Sequence, residues 1–596
     1  MAQKQKDYQE IADKRLNTYK DSAIIKRLLS YTKPFKEDFL IAIIMMMITV
    51  VLFLLEPFLL GTSLNAIIAG NDYGELLQLL SLLVLIILVG NIFNYLQTVK
   101  LQQTGQSIIY NIREEVFTHL ERSDISYLNS RPTGALVTRV TNDTNTLNEM
   151  YSTVLVNMFK NVLMAVGILI SMFLINATLA LYILTVVPFI VLFSFIFRKF
   201  SRKAYRRIRA NLSKVNAFLA EHLSGMKIIQ IFNREEAKLS QFDDRNRRLK
   251  LSYYKQITIF GIYRPTMYFL RMVAVVIVFY YGSMQALDGL IEIGIILAFY
   301  QYVGRFFEPI QQLAEQFQLL QSAFASSERI FGILDTKATI VDKEDAIELK
   351  DMKGDIEFRN VWFAYIDNEW ILKDVSFKVN AKESVAFVGA TGAGKTTILG
   401  LITRNYDIQK GQILIDGIDI REIKKDSLRK GIGQMLQEVF LFSGTIKSNI
   451  NLRNEEIPED KIIESCDYVN ASHFINRLPD KLEEEVRERG NNFSSGQRQL
   501  LSFARTIVHE PKVMILDEAT SNIDTETEQL IQDSLYKMMT IGTMLIVAHR
   551  LSTIQHCDRI IVLSKGEIIE QGSHQELLKN KKHYYNLYRL QYQDKT

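Results

Sequence analysis

The chain has 596 residues, of which 48% are apolar and 23% are charged, and its mean hydropathy is +0.04. This length predicts more than one domain, and the formal net charge of +4 does not suggest a nucleic-acid partner. The two cysteines, Cys466 and Cys557, lack metal-site spacing, so buried free thiols are predicted rather than a disulfide or a metal site.

The N-terminal segment is polar. Residues 1–20 contain no apolar core of a cleavable signal peptide, so the first membrane helix is predicted to act as its own insertion signal. The stretch Ile24–Tyr31 is short and amphipathic and carries Lys26 and Arg27, which predicts a helix along the cytoplasmic interface. Residues 1–35 are therefore predicted to form a cytoplasmic and interfacial elbow segment.

Residues 36–325 are predicted to form a membrane domain with six spans, because a span needs about 20 mostly apolar residues. The predicted spans are roughly Phe39–Leu60, Leu76–Leu96, Val154–Ile175, Thr178–Phe197 and Ile257–Leu287, and a sixth that starts near Ile291. Buried helices of a soluble core are the alternative, and the length of the runs argues against it.

The distribution of basic residues predicts the topology. Lys and Arg accumulate after the second and fourth spans, and the other three connections, around Asn71–Tyr73, Asn176 and Asp288–Glu292, contain none. Basic residues collect on the cytoplasmic side. The pattern predicts six crossings of the plasma (inner) membrane with both termini in the cytoplasm.

Four charged residues fall in or near the spans: Glu56, Arg264, Arg271 and Glu308. Charge inside a membrane is costly and is usually functional or paired. Two interpretations stay open for the first three, a polar translocation surface or internal pairing, for example of Glu56 with an arginine of the fifth span. Glu308 is predicted to lie beyond the membrane.

Residues 326–352 are predicted to be a linker and 353–596 a nucleotide-binding domain. An apolar strand, Val385–Val388, leads into the phosphate-loop pattern G-x-x-x-x-G-K-[ST] just before a predicted helix. Backbone N–H groups of this loop approach phosphates, Lys395 adds a positive charge, and the Thr396 hydroxyl is a predicted Mg²⁺ ligand. The loop residues predicted to bind ATP are Gly389, Ala390, Thr391, Gly392, Ala393, Gly394, Lys395, Thr396 and Thr397.

A second apolar strand, Lys512–Leu516, ends in two carboxylates. Asp517 is predicted to hold Mg²⁺, because an acid at the end of a parallel strand faces the phosphate loop. Glu518 follows it and is the candidate general base that activates the attacking water.

The motifs around these residues resemble the ATP-binding cassette (ABC) transporter family along essentially the whole chain. In that family an aromatic residue stacks on adenine, a glutamine links Mg²⁺ and water to the membrane domain, and a histidine contacts the γ-phosphate. The positions that match are Tyr365, Gln437 and His549; Phe493-Ser494-Ser495-Gly496-Gln497 occupies the place of the signature sequence, and Ser521–Asp524 that of the loop crossing the dimer interface. Six spans followed by a cassette resemble ABC exporters.

The resemblance implies the architecture and the mechanism. The implied fold is multidomain: an all-α six-helix transmembrane bundle with long cytoplasmic helical extensions, followed by an α/β P-loop ATP-binding cassette. ATP and Mg²⁺ are the implied cofactors, and Lys395, Gln437, Glu518 and His549 the implied catalytic residues. Tyr365, Asp524 and the signature residues Ser494, Ser495, Gly496 and Gln497 are implied to contact ATP held between two cassettes, so the working unit is a dimer. In the family, short helices in the two cytoplasmic connections dock on the cassettes.

The predicted cargo is a hydrophobic or amphipathic compound of the multidrug type, with a lipid exporter or flippase and an ATP-gated channel as the alternatives. One departure from the family pattern bears on the partner. Ser495 replaces the first glycine of the signature, and a side chain there hinders the close approach to γ-phosphate. This favours a heterodimer in which a different half-transporter supplies an intact signature, with a homodimer that tolerates serine as the alternative.

Overall fold

The computed structural model describes residues 21–68, 70, 73–366, 368–517, 525–547 and 551–592. The chain forms two compact units: Met1–Arg122 with Pro132–Lys337, and Ser123–Arg131 with Ala338–Thr596. The predictions for residues 1–20, for the connection at Asn71 and Asp72, and for Glu518, Asp524 and His549 fall outside the described residues.

The first unit is helical. Its helices are α1 (Asp21–Thr32), α2 (Lys36–Ile68), α3 (Tyr73–Glu121), α5 (Thr133–Thr138), α6 (Thr144–Glu149), α7 (Leu155–Ile175), α8 (Ala177–Leu184), α9 (Val187–Ser224), α10 (Met226–Ile231), α11 (Glu235–Leu287) and α12 (Ile293–Leu334), and α4 (Ile125–Asn129) belongs to the second unit. Two π-helical segments, Arg139–Asp143 and Met150–Val154, join α5 to α6 and α6 to α7 into one continuous rod.

Within the described residues, five helical stretches are long and apolar enough to cross a membrane, which agrees with a multi-pass protein. They are Ser22–Ile68, Tyr73–Glu121, Thr133–Ile175, Ala177–Ser224 and Glu235–Leu287. The sixth predicted span corresponds to α12, which has 42 residues but is less apolar because Gln301, Arg305 and Glu308 interrupt it. A crossing by α12 stays a prediction.

Local signals in the sequence place the helix ends and the elbow. Asn176 separates α7 from α8, and its side chain accepts a hydrogen bond from the Leu179 N–H at 2.9 Å, so the predicted tight turn is an N-cap. In α1, Ile24 and Leu28 are buried in a cluster with residues of α3 and α12, whereas Ile25 and Leu29 are exposed. One apolar face of the elbow therefore packs against the bundle, and a second apolar face is exposed.

Glu56 is paired inside the first unit, but not with an arginine of the fifth span as the sequence suggested. Its carboxylate lies 2.6 Å from the Arg305 guanidinium of α12, and the two side chains are 22% and 18% exposed. The expected partners, Arg264 and Arg271, lie on α11, whereas α2 packs directly against α12.

A buried carboxylate joins the π-helical segment Arg139–Asp143 to the end of α12. Asp143 accepts hydrogen bonds from Arg139 at 2.9 Å, from the Ser326 hydroxyl at 2.9 Å and from both Nε and Nη2 of Arg329. Ser326 and Arg329 belong to the segment predicted as a linker, and α12 runs through that segment to Leu334. The beginning of the predicted linker is thus helical.

The second unit is an α/β fold. Its strands are β1 (Ile356–Ala364), β2 (Trp370–Val379), β3 (Ser384–Val388), β4 (Lys410–Ile415), β5 (Ile418–Asp419), β6 (Ile432–Met435), β7 (Gly444–Thr445), β8 (Glu485–Val486), β9 (Val513–Asp517), β10 (Thr543–Val547), β11 (Arg559–Ser564) and β12 (Glu567–Gly572). Its helices after α4 are α13 (Lys395–Ile402), α14 (Lys425–Lys430), α15 (Ile446–Ile450), α16 (Glu459–Tyr468), α17 (Ser472–Ile475), α18 (Ser495–Ile507), α19 (Thr525–Met539), α20 (Leu551–Ile554), α21 (His574–Asn580) and α22 (His583–Tyr592).

The strands form a six-stranded sheet in the order β12-β11-β3-β10-β9-β6, a four-stranded sheet in the order β2-β1-β4-β5, and the pair β7-β8. In the large sheet, β11, β3, β10, β9 and β6 run parallel. Parallel strands covered on both faces read as continuous apolar runs, and β3, β9 and β10 are such runs and are almost fully buried. Both cysteines are buried thiols, as predicted, and burial raises the pKa of Cys466 to about 12.

The segment Ser123–Arg131 of the first cytoplasmic connection is part of the second unit. The Asp124 carboxylate accepts a hydrogen bond from the Thr339 hydroxyl at 2.8 Å, and the Asn129 amide donates to the Tyr406 hydroxyl at 3.4 Å. The short helix α4 is therefore attached to the α/β unit rather than to the bundle from which its chain emerges.

Candidate nucleotide-binding site

The phosphate loop connects β3 to α13, as predicted. Gly389 has φ +156°, and a Cβ there would lie 2.2 Å from the Leu563 carbonyl oxygen. Gly394 has φ +103° and occupies the N-cap position of α13, where a Cβ would lie 2.7 Å from Leu372. Both positions accept only glycine without rearrangement, so the backbone N–H groups stay accessible at the positive end of α13.

Lys395 is buried at the start of α13. Its ammonium group donates hydrogen bonds to the carbonyl oxygens of Gly389 at 2.7 Å and Ala390 at 3.1 Å. Burial lowers the pKa of Lys395, and the negative charge of Asp517 acts in the opposite direction. The lysine thus occupies the mouth of its own loop, where a phosphate group would replace the two carbonyl oxygens.

The order of the parallel strands brings the other motifs to the same edge of the sheet. Val547 of β10 is paired with Phe387 of β3 on one side and with Asp517 of β9 on the other. Gln437 follows β6, the neighbour of β9, and its side chain is exposed. Glu518 and His549 come directly after β9 and β10 in the sequence, and their own placement is not among the described residues.

Tyr365 lies close to the phosphate loop. Its side chain is half exposed, and its hydroxyl lies 3.1 Å from the hydroxyl of Thr397, which is buried. Thr396 is exposed and Thr397 is not, so the two consecutive threonines have different surroundings. Phe363 is buried and contacts Tyr365 edge-on, which fits a packing role for Phe363.

The signature segment starts helix α18. Ser494 is its N-cap, and a capping box joins Ser494 to Gln497: the Ser494 hydroxyl accepts from the Gln497 N–H, and the Gln497 side chain accepts from the Ser494 N–H. Phe493 is buried in the apolar core and anchors the segment. Ser495 is the first residue of the helix and has an ordinary helical backbone, so serine causes no strain within its own unit.

A cavity of 440 Å³ extends between the segment after β6, the end of β9 and helix α18. Gln437, Asp517 and Ser495 all line it. The structure therefore brings two of the three predicted magnesium residues, Gln437 and Asp517, and the first residue of the signature helix to one cavity of the same unit.

Comparison with known proteins identifies the family. The model of the ABC transporter transmembrane region matches residues 39–310, and that of the ABC transporter domain matches residues 372–521. A Bacillus subtilis protein named "Probable multidrug resistance ABC transporter ATP-binding/permease protein YheH" is 39% identical over 84% of this chain and 74% of that protein. The ATP-dependent lipid A-core flippase of Syntrophus aciditrophicus is 34% identical over 96% of this chain and 95% of that protein.

A solved structure of a bacterial Atm1-family ABC exporter with ATP bound aligns with a TM-score of 0.78 and 26% identity, over 94% of this chain and 98% of that one. The chain belongs to the ABC exporters. Its α/β unit is an ABC transporter ATPase, and ATP hydrolysis coupled to transport is its activity.

The donor set of this ATPase suits magnesium. The predicted ligands Thr396, Gln437 and Asp517 offer a hydroxyl, an amide oxygen and a carboxylate, and Mg²⁺ prefers one or two such oxygens together with phosphates and water. Among the described residues, no cluster of three or more His, Cys, Asp or Glu side chains would hold a metal ion by itself. The arrangement therefore fits an ion that arrives with the nucleotide.

Tyr406 was not predicted from the sequence. Its ring contacts that of Tyr365 edge-on, with 5.0 Å between the ring centres, and its hydroxyl accepts a hydrogen bond from the Asn129 amide of α4. It thus joins the candidate adenine-stacking residue of the exporter to the segment that comes from the membrane half. No pattern indicates Tyr406, because it follows α13 in an irregular loop and belongs to no motif.

Proposed function

We propose that this chain is one half of a dimeric multidrug exporter that moves hydrophobic or amphipathic compounds across the plasma membrane by alternating access. The observation that carries the proposal is the make-up of the chain, which has one membrane region and one cassette, together with its 39% identity to a protein named for multidrug resistance. Both termini lie in the cytoplasm in this arrangement, as the distribution of Lys and Arg predicts.

In the proposed reaction ATP is the substrate, and water attacks its γ-phosphate in line while the bond to the β–γ bridging oxygen breaks, so that ADP and phosphate are the products. Lys395 leaves the Gly389 and Ala390 carbonyls and neutralises charge on the β- and γ-phosphates. Tyr365 stacks on adenine, Glu518 takes the proton of water, and His549 contacts the γ-phosphate. Thr396, Gln437 and Asp517 would hold magnesium, which would neutralise further phosphate charge. The partner's cassette receives contacts from Ser494, Ser495, Gly496, Gln497 and Asp524.

The second cytoplasmic connection offers the surface that would couple hydrolysis to transport. Helix α10 has six residues, and Ile228 and Ile231 on it, with Phe232 just after it, are exposed. Such a short apolar helix gains stability only when it is covered. We assign α10 the docking role on a cassette that the family resemblance implies.

The proposed partner is a different chain, because Ser495 would impair the signature of both sites in a homodimer. In a heterodimer the partner supplies an intact signature to the phosphate loop, Asp517 and Glu518 of this chain. The test is to purify the chain alone and together with a candidate half-transporter, and to measure ATP hydrolysis. Activity that appears only with the second chain and is lost with Glu518→Gln supports the proposal; cooperative hydrolysis and drug transport by the lone chain overturns it.

A lipid exporter or flippase is the second candidate, favoured by the 34% identity to a lipid A-core flippase over nearly the full length of both chains. Proteoliposomes that contain both a fluorescent drug and a headgroup-labelled lipid separate the two. Accumulation of the drug alone supports the multidrug assignment, and movement of the lipid alone supports the flippase. An ATP-gated channel would instead show conductance in a planar bilayer without net hydrolysis.

A further inference from the structure

Helix α2 contains a proline at a position where the helix needs an N–H group. Pro57 has no N–H to donate, so the carbonyl oxygen of Phe53, four residues earlier, loses its helical partner. In an apolar surrounding an unpaired carbonyl is costly, and neighbouring helices usually supply the missing donor. Yet α2 continues through Pro57 without a break.

Helix α12 supplies donors at this point. The Arg305 guanidinium donates to the Phe53 carbonyl at 2.9 Å, and the Tyr302 hydroxyl donates to the next carbonyl, that of Leu54, at 2.6 Å. Arg305 also lies 2.6 Å from Glu56 and 4.0 Å from the centre of the Phe53 ring. We call the contacts of Tyr302 and Arg305 with this turn of α2 the proline clamp.

The two helices are also joined closer to the connection between α11 and α12. The Asn65 side chain of α2 accepts a hydrogen bond from the Gly294 N–H at 2.6 Å, which caps the first turn of α12 from outside that helix. A Cβ built on Gly294 would lie 1.9 Å from the Gly61 carbonyl oxygen, so the two backbones touch. The proline clamp thus lies on the same α2–α12 interface as this close backbone contact.

We propose that Tyr302 and Arg305 are positioning residues for transport, which hold α2 and α12 together. Arg305 supplies the donor that Pro57 removes from the Phe53 carbonyl, and Tyr302 adds a second contact at the next carbonyl, that of Leu54. Any conformation in which the two helices part leaves the Phe53 carbonyl without a donor in an apolar surrounding and breaks the Tyr302 contact. The clamp therefore biases the exporter toward the conformation described here, and parting of the helices becomes a step that the energy of ATP must drive. The link to transport rests on the proposed export function.

The arginine is suited to this role in a way that lysine is not. Its planar guanidinium reaches the Glu56 carboxylate and the Phe53 carbonyl at once, whereas an ammonium group is a compact point charge. Arg305→Lys thus keeps the charge opposite Glu56 and disturbs the carbonyl contact. Tyr302→Phe removes one hydroxyl and leaves the ring. Pro57→Ala restores the backbone N–H, so α2 can satisfy the Phe53 carbonyl by itself.

The experiment uses a thiol reporter at the interface. Ala298 of α12 is buried next to Gly61, so Ala298→Cys reports parting of the helices through its alkylation rate. Ala274→Cys, buried on α11, reports general loosening, and the native Cys466 and Cys557 are buried. The full chain is labelled in lipid nanodiscs without nucleotide, so the measurement needs neither hydrolysis nor transport.

Tyr302→Phe and Arg305→Lys are each expected to raise the alkylation of Ala298→Cys by about fivefold, the factor that corresponds to one lost hydrogen bond. Ala274→Cys is expected to stay protected. In the Pro57→Ala chain, Arg305→Lys is expected to have little further effect, because the restored N–H supplies the Phe53 carbonyl. Tyr300→Phe is the matched control, because Tyr300 is exposed on the same helix and makes none of these contacts.

Three results would overturn the proposal: an unchanged Ala298→Cys rate in both variants, an equal increase at Ala274→Cys, or an undiminished effect of Arg305→Lys in the Pro57→Ala chain. Failure of the export function is seen separately, as absence of substrate movement by the parent chain with its partner, and it leaves the labelling result as it is. If both hold, Tyr302→Phe should also lower the amount of substrate moved per ATP hydrolysed.

Discussion

Lys395 illustrates how a single residue is positioned within the phosphate loop. Its ammonium group is buried, is paired with two loop carbonyls and is influenced by the negative charge of Asp517. In the proposed site, phosphate oxygens of ATP would replace these carbonyls as its partners, and they are charged and therefore stronger acceptors. The gain from this exchange belongs to nucleotide binding, and the role assigned to Glu518 belongs to the chemical step.

Substitutions of Lys395 and of Glu518 are therefore expected to impair different steps, nucleotide binding and hydrolysis. Lys395→Ala should weaken ATP binding by about tenfold or more, because a charge-assisted contact is lost. Glu518→Gln should leave the affinity nearly intact and lower turnover by about 100-fold, the usual scale for loss of a general base. Nucleotide affinity and steady-state hydrolysis of the assembled exporter measure both. Turnover of Glu518→Gln close to the parent value would remove Glu518 from the base role.

A substitution of Gly389 tests whether the phosphate loop tolerates one added carbon atom. In Gly389→Ala the new Cβ would lie 2.2 Å from the Leu563 carbonyl oxygen, so the loop must move and ATP binding should be lost. Gly392→Ala is the matched control: Gly392 has φ +83° but open space around it, and strain of about 1 kcal/mol is expected. Equal affinities of the two variants would show that the loop tolerates the displacement.

The strand–loop–helix setting of the phosphate loop was predicted correctly, because the chemistry of such a loop fixes both residue types and spacing. The contacts of Tyr365 with Thr397 and Tyr406 were not predicted, because they depend on how side chains of distant segments pack. For Glu56 the sequence left pairing as one of two interpretations, and it could not identify Arg305 as the partner for the same reason. Hydropathy locates the helices but does not say which pairs are neighbours.

At the scale of elements, the rod α5–α7 and helix α12 are joined by one buried carboxylate. Asp143 is surrounded by Arg139, Arg329 and the Ser326 hydroxyl, so its charge is fully compensated. Removing one member of a buried charge cluster leaves the others uncompensated. The stability of this junction therefore depends on Asp143 more than on any exposed pair of the same helices.

Asp143→Asn is expected to destabilise the first unit by about 3 kcal/mol, as is usual when a buried pair is broken. Asp244→Asn is the control, because Asp244 and Arg248 form an exposed pair one turn apart on α11, and a loss below about 0.5 kcal/mol is expected. Thermal unfolding of the purified full-length protein in detergent compares the two. Similar unfolding temperatures would show that the arginines find other acceptors.

At the scale of the whole molecule, the predicted topology assigns opposite sides of the membrane to two exposed positions. Asp288 follows α11 and Ser213 lies on α9, and both are exposed. A cysteine at Asp288 should react with an impermeant thiol reagent added to intact cells, and one at Ser213 should react only after permeabilisation. Reversed labelling would contradict cytoplasmic termini. Ser326 is unsuitable as an inner reporter, because it is buried.

The division into a helical bundle and an ATP-binding unit was evident from the sequence, since apolar runs and the phosphate loop occupy separate parts of the chain. The family resemblance implied that the first cytoplasmic connection docks on a cassette, but no local pattern singled out residues 123–131 as part of the ATP-binding unit. That assignment depends on hydrogen bonds of Asp124 and Asn129 with residues more than 200 positions away. Hydropathy and periodicity describe only local sequence, so they carry no information about such contacts.

The two π-helical segments of the rod have a consequence for the length of this chain. A π turn encloses one residue more than an α turn, so each segment accommodates one surplus residue while the helix on either side keeps its face. Deleting one residue within Met150–Val154 would convert that turn to an ordinary α turn and leave α7 in the same orientation. The same deletion in the middle of α7 would rotate everything after it by about 100°. Relatives that differ in length by single residues along this rod are therefore expected to differ at the π segments.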